Sequence, residues 1–141
     1  MNACELCDGS GGEVLWQDEC CRVVRVGDTE GAAFPGFCRV IWRAHVREMT
    51  DLATADRHYL MDVVAAVEHA VREVVRPDKI NLASLGNVVP HLHWHVIPRW
   101  ADDSHYPAPI WAAGVRPAPA RGQPERLALV AALTARLGES Q

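Results

Sequence analysis

Three histidines, His91, His93 and His95, stand at every second position between Pro90 and Pro98, separated by the large apolar residues Leu92 and Trp94 and followed by Val96 and Ile97. A β-strand turns successive side chains to opposite faces. The spacing therefore predicts a strand with three imidazoles on one face and Leu92, Trp94 and Val96 on a core-facing side. Imidazole titrates near neutrality, with an ordinary pKa of about 6.5, and serves as nucleophile, base or metal ligand. One metal ion held by all three on a regular strand is implausible: the outer two α-carbons lie about 13 Å apart, whereas zinc binds nitrogen at about 2.0–2.1 Å. The three rings must have separate tasks.

With 141 residues, 49% of them hydrophobic, the chain suits one compact domain spanning residues 1–141. The net charge of −4 comes with no lysine or arginine run, so neither nucleic acid nor an anionic membrane is an expected partner. No leader-like or membrane-spanning apolar run is present, and the expected compartment is cytoplasmic. Five cysteines, two of them adjacent at Cys20 and Cys21, imply no disulfide framework.

Short strands are predicted at 13–18 and 22–26 around a turn near Glu19, at 37–43, at 80–85 and at 92–97, with a loop at 27–35. Leu60, Val64, Val67, Val71 and Val74 recur at spacings of four and three, which predicts one face of a helix over 50–75 with Thr54 as N-cap and Pro77 as stop. Prolines make 101–124 irregular, and 125–137 reads as a short closing helix. His58 and His69 fall on the solvated side of the long helix, and Trp42 and Trp94 read as core or interface aromatics. Strands grouped on either side of one long helix indicate an α+β fold with an antiparallel sheet.

Cys4 and Cys7 form a C-x-x-C pair, which supplies half of a tetrahedral zinc shell and leaves the other two ligands to be found. Arg99, just beyond the histidines, is a candidate for neutralising a polyphosphate.

The segment His91–Ile97 resembles the signature of the histidine triad (HIT) family of nucleotide hydrolases and transferases, alternating histidine with apolar residues. Pro35-Gly36-Phe37-Cys38-Arg39-Val40-Ile41 followed by His45, and Lys79-Ile80-Asn81 through Gly86-Asn87, extend the likeness. The resemblance implies an antiparallel sheet with one long packed helix, a homodimer, and action on the α-phosphate of a nucleotide, with diadenosine polyphosphate cleavage as the leading activity. It implies His93 as the nucleophile, His95 as donor to phosphate oxygens, and Asn87 and Asn81 at the phosphate site. It also implies an acidic residue on the ribose, for which Asp28 is the candidate, and a base held between apolar side chains. Zinc-containing relatives suggest His45 and His91 as partners of Cys4 and Cys7 in a structural zinc site. Asn87 stands where glutamine is usual, and Val88 where a hydroxyl residue is common. Two other classes stay open: a non-catalytic nucleotide sensor or scaffold, and a zinc-dependent phosphoesterase.

Overall fold

A computed structural model describes residues 3–141. The elements in chain order are α1 (Glu5–Asp8), β1 (Glu13–Gln17), β2 (Cys21–Arg25), α2 (Thr29–Ala33), β3 (Cys38–Trp42), α3 (Thr54–Val75), β4 (Lys79–Ala83), β5 (His93–Arg99) and α4 (Arg126–Leu137). The five strands form one antiparallel sheet in the order β1-β2-β3-β5-β4, so the α+β expectation holds. The strand carrying the histidines lies inside the sheet between β3 and β4, paired along both sides.

Alternation along these strands builds two different faces. On one, Val23, Val40 and Val96 are fully buried against α3, which contributes Leu60, Val63, Val64, Val67, Ala70 and Val71. The stripe expected from the periodicity is this face, and Leu92 and Trp94 join the same cluster. Helix α4 adds Leu129, Ala132 and Leu133. Burial of one such side chain contributes about 1.5–3 kcal/mol, so Leu60→Ala would cost about 2–5 kcal/mol once the cavity it leaves is included. The opposite face carries Phe37, Ile97, His93, His95 and Arg99 and is covered by shorter segments rather than by a helix layer.

Local boundaries differ from the sequence expectations for identifiable reasons. Thr54 is not the N-cap: Ala53 holds that position without a side-chain bond, and the Thr54 hydroxyl instead accepts from Arg57 Nη2 at 3.1 Å. Residues 49–51 form a separate 3-10 turn closed by reciprocal Glu48 and Asp51 contacts, which starts the long helix later than predicted. It ends at Val75, where Arg76 adopts a left-handed conformation at φ 55°, just before Pro77. The expected loop at 27–35 contains α2, capped by Asp28, whose carboxylate accepts from Glu30 N and Gly31 N. A Cβ on Gly31 would lie 1.9 Å from the Val26 carbonyl oxygen, so only glycine lets this turn close onto β2. The five cysteines are free thiols. No described helix is long and apolar enough to cross a membrane.

Candidate active site and metal cluster

The histidine row divides. Strand β5 begins at His93, and His91 precedes it on a bend, so a regular strand does not carry all three rings. His91 is fully buried, and its ring meets a different set of groups from the other two. Its Nε2–H donates to the Trp42 carbonyl at 2.6 Å, so that nitrogen carries the proton. The unprotonated Nδ1 then faces Cys4 Sγ at 3.4 Å, Cys7 Sγ at 3.5 Å and His45 Nδ1 at 3.2 Å, while Cys7 Sγ lies 3.4 Å from His45 Nδ1. All four ligand atoms lie within 4.8 Å of one another. Tetrahedral zinc with bonds of about 2.0–2.3 Å separates its ligands by about 3.3–3.8 Å. The donor set fits such an ion, and the carbonyl bond behind His91 is the outer contact that commonly orients a metal-bound imidazole.

His93 uses the opposite nitrogen. Its Nδ1–H donates to the His91 carbonyl oxygen at 2.5 Å, which leaves the Nε2 lone pair free. The peptide oxygen that sets this tautomer thus comes from the first histidine of the row. Burial pushes the His93 pKa down, although the bond to the His91 carbonyl acts against that shift. The ring packs edge-on against His95, centroids 5.0 Å apart. Arg39 lies opposite His95 in the β3–β5 register, and its Nε–H donates to His95 Nδ1 at 3.4 Å. That assigns the His95 proton to Nε2. Burial, then His93 and Arg39, pushes the His95 pKa down to about 3, so the ring is neutral at physiological pH. The two neighbouring imidazoles are therefore locked in opposite tautomers: His93 offers a lone pair and His95 a donor.

Both line a cavity of about 440 Å³, within the range of small-molecule sites. Its other walls are Glu5 and Leu6 from α1, Glu30 from α2, Arg39 from β3, residues 85–89 between β4 and β5, and Trp111. Asn87 belongs to this lining as an exposed loop residue, as does Val88. Trp111 packs against His95 with centroids 5.0 Å apart, and Ile110 beside it is buried against Phe34 and Phe37, so this part of the 101–124 segment covers the site.

Three sequence candidates lie elsewhere. Arg99 is 1% exposed and not part of the lining: it pairs with Asp103 at 2.8 Å and donates through Nη1 to Asn81 Oδ1 at 2.8 Å. The expectation of a solvent-facing arginine for polyphosphate is corrected by this burial, and Asn81 is engaged in the same network. Asp103 also accepts from the backbone of Trp100, His105 and Tyr106, which fixes the turn leading toward Trp111. Burial raises its pKa, but hydrogen bonds from Arg99 and these amides outweigh that and hold the carboxyl well below the usual range. Asp28 caps α2 and is not in the cavity wall, where Glu30 stands instead.

Sequence reasoning did not select Glu30 or Arg39, whereas Ile110 and Trp111 read as part of a stretch that covers the site or docks on a second subunit. Arg39 had a usable signal: it is the one charged residue in the apolar run 37–42, in phase with Phe37 and Ile41. Glu30 had none, because its place depends on a helix formed inside an expected loop.

Residues 12–102 match the HIT domain family. An AP-4-A phosphorylase of Mycobacterium tuberculosis is 29% identical over 89 residues, 59% of this chain and 46% of that protein. An uncharacterized HIT-like protein of Saccharolobus solfataricus is 30% identical over 74 residues, 49% of this chain and 53% of the other. The chain thus spans about half the length of these relatives. Among solved structures, a histidine triad protein of Bradyrhizobium japonicum superposes with a TM-score of 0.71 at 27% identity, covering 91% of this chain and 92% of that one. One from Marinobacter aquaeolei gives 0.71 at 27% identity, covering 96% and 95%. With the family match spanning more than half of its length, and the folded histidine row at its centre, the chain belongs to the HIT family.

Proposed function

We propose that the chain is a nucleotide hydrolase or nucleotidyl transferase acting at the α-phosphate of a nucleoside polyphosphate or phosphoramidate, as a single domain. The observation that carries this reading is the bond from His93 Nδ1 to the His91 carbonyl, which holds the second nitrogen unprotonated beside a cavity of nucleotide size. His93 Nε2 attacks phosphorus, an N–P bond forms, and the bond to the leaving group breaks with its electron pair staying on the departing atom, which takes up a proton from solvent when it is the amine nitrogen of a phosphoramidate. Water then attacks phosphorus, the N–P bond returns its pair to Nε2, and the water proton passes to solvent. His95 Nε2–H donates to a phosphate oxygen, and Asn87 on the rim supplies a second donor. Both contacts gain strength as charge builds on the phosphoryl oxygens.

Cys4, Cys7, His45 and His91 hold a structural zinc ion in this reading. The set supplies four protein ligands, so the ion contributes folding energy rather than an open position for substrate. A homodimer, implied by the family likeness, completes the proposal. Incubation with a dinucleoside polyphosphate labelled at the α-phosphate is the direct test. An acid-labile nucleotidyl adduct that disappears in His93→Ala supports the reading, and turnover without any adduct overturns it. A pure binder would give neither adduct nor turnover.

A further inference from the structure

The cavity wall away from the 85–89 loop carries two charged groups, Glu30 and Arg39, of which the chemistry above uses only the Arg39 Nε that sets the His95 tautomer. The Glu30 carboxylate makes no hydrogen bond or ion pair among the described residues, and its Oε2 has no contact with solvent. The helix α2 that carries it is held on three sides: the Asp28 cap, the close approach of Gly31 to Val26, and a 2.8 Å bond from Gln123 Nε2 to the Gly31 carbonyl. Arg39 spends only Nε on the protein, and its guanidinium lies over the Phe37 ring with no carboxylate in pairing distance among the described residues. A buried carboxylate oxygen without a partner, on a half-buried side chain, costs free energy that a ligand donor would recover. The family likeness leads one to expect an apolar sandwich for the base here. This chain has an acceptor and a donor fork instead.

We propose that Glu30 and Arg39 read the edge of the nucleobase and select guanine over adenine. The inference rests on the reading of the cavity as a nucleotide site. Guanine presents N1–H and the 2-amino group side by side, two donors that one carboxylate accepts together, and O6 with N7, two acceptors that match an arginine fork. Adenine places an acceptor, N1, where the carboxylate would need a donor, and an amino group where the arginine would need an acceptor. The mismatch leaves both protein charges unpaired, which is the costly outcome.

Calorimetric titration of the whole metal-loaded protein with guanosine, adenosine and inosine 5′-monophosphates tests this without turnover. Guanosine monophosphate should bind about tenfold or more tighter than adenosine monophosphate. Inosine monophosphate, which lacks only the 2-amino group and keeps N1–H, O6 and N7, should bind between the guanine and adenine nucleotides on the unaltered protein, so the result does not depend on any variant folding. Glu30→Gln and Arg39→Met should each bring the guanosine-to-adenosine ratio within about threefold. Equal binding of the guanine and adenine nucleotides overturns the proposal while leaving the nucleotide reading intact. A preference that ignores both substitutions, or a Glu30 contribution that vanishes with 2′,3′-dideoxyguanosine monophosphate, also overturns it, the latter by assigning Glu30 to the sugar. Failure of every nucleotide to bind takes down both readings.

Discussion

His91 and His93 lie two residues apart, yet each is engaged in the opposite sense. His91 gives its Nε2–H to the Trp42 carbonyl and turns Nδ1 on two thiols and a second imidazole; His93 gives its Nδ1–H to the His91 carbonyl and keeps Nε2 for the cavity. The residue type is constant and so is the buried setting. What differs is which ring nitrogen a peptide oxygen has claimed, and that choice separates a candidate metal ligand from the proposed nucleophile.

The sharpest way to break this comparison is to remove one ring and watch the other. His93→Ala should lower turnover by more than about a thousandfold while zinc content, read by metal analysis, stays at one ion per chain. A variant that loses both metal and activity would show that the two regions are not separable. At the far end of β5, Arg99→Met leaves Asp103 buried without its partner and should cost about 3–5 kcal/mol in denaturant unfolding. It should also raise KM through Trp111 without releasing metal.

The Asp103 carboxyl gives an acid signature to the same pair. Its folded pKa is depressed, so its stabilisation is complete above the unfolded value of about 3.9 and fades as pH falls below it toward the folded one. Unfolding measured across that window should lose this component in Asp103→Asn. Chelation with a strong zinc binder should lower the melting temperature by about 10 °C, with activity falling in step rather than at once. Immediate loss of activity at unchanged stability would instead favour the catalytic-metal reading. Smallest of the set, Asn87→Ala should slow turnover about tenfold, since a single phosphate donor on an exposed loop is removed.

How much of this was legible depended on the range over which each interaction acts. Alternation gave the β5 face and the separation of His93 and His95 from the core, because a strand fixes side-chain direction locally. The 3.6-residue period gave the buried stripe of α3 for the same reason. Cys4-x-x-Cys7 announced half of a shell, and the family likeness named the remainder, which the fold brings together across 87 residues between Cys4 and His91. Arg99 was misread because nothing local marks its burial: Asp103, four residues on, becomes its partner only through a turn whose amides the same carboxylate gathers. Glu30 was invisible for a related reason. A capping aspartate and a glycine packed on β2 make a helical turn where composition alone reads as loop.

Residue 91 serves two masters through different atoms: its ring belongs to the cluster of four donors, its peptide oxygen to the ring of His93. Exchanges at that position therefore offer a rare separation of side chain from main chain. On the proposed reading, a cysteine there could still ligate and would still present the carbonyl, whereas an alanine would abandon the first duty and loosen the second, so the anchoring of the proposed ion and the aim of the neighbouring ring would share a single pivot.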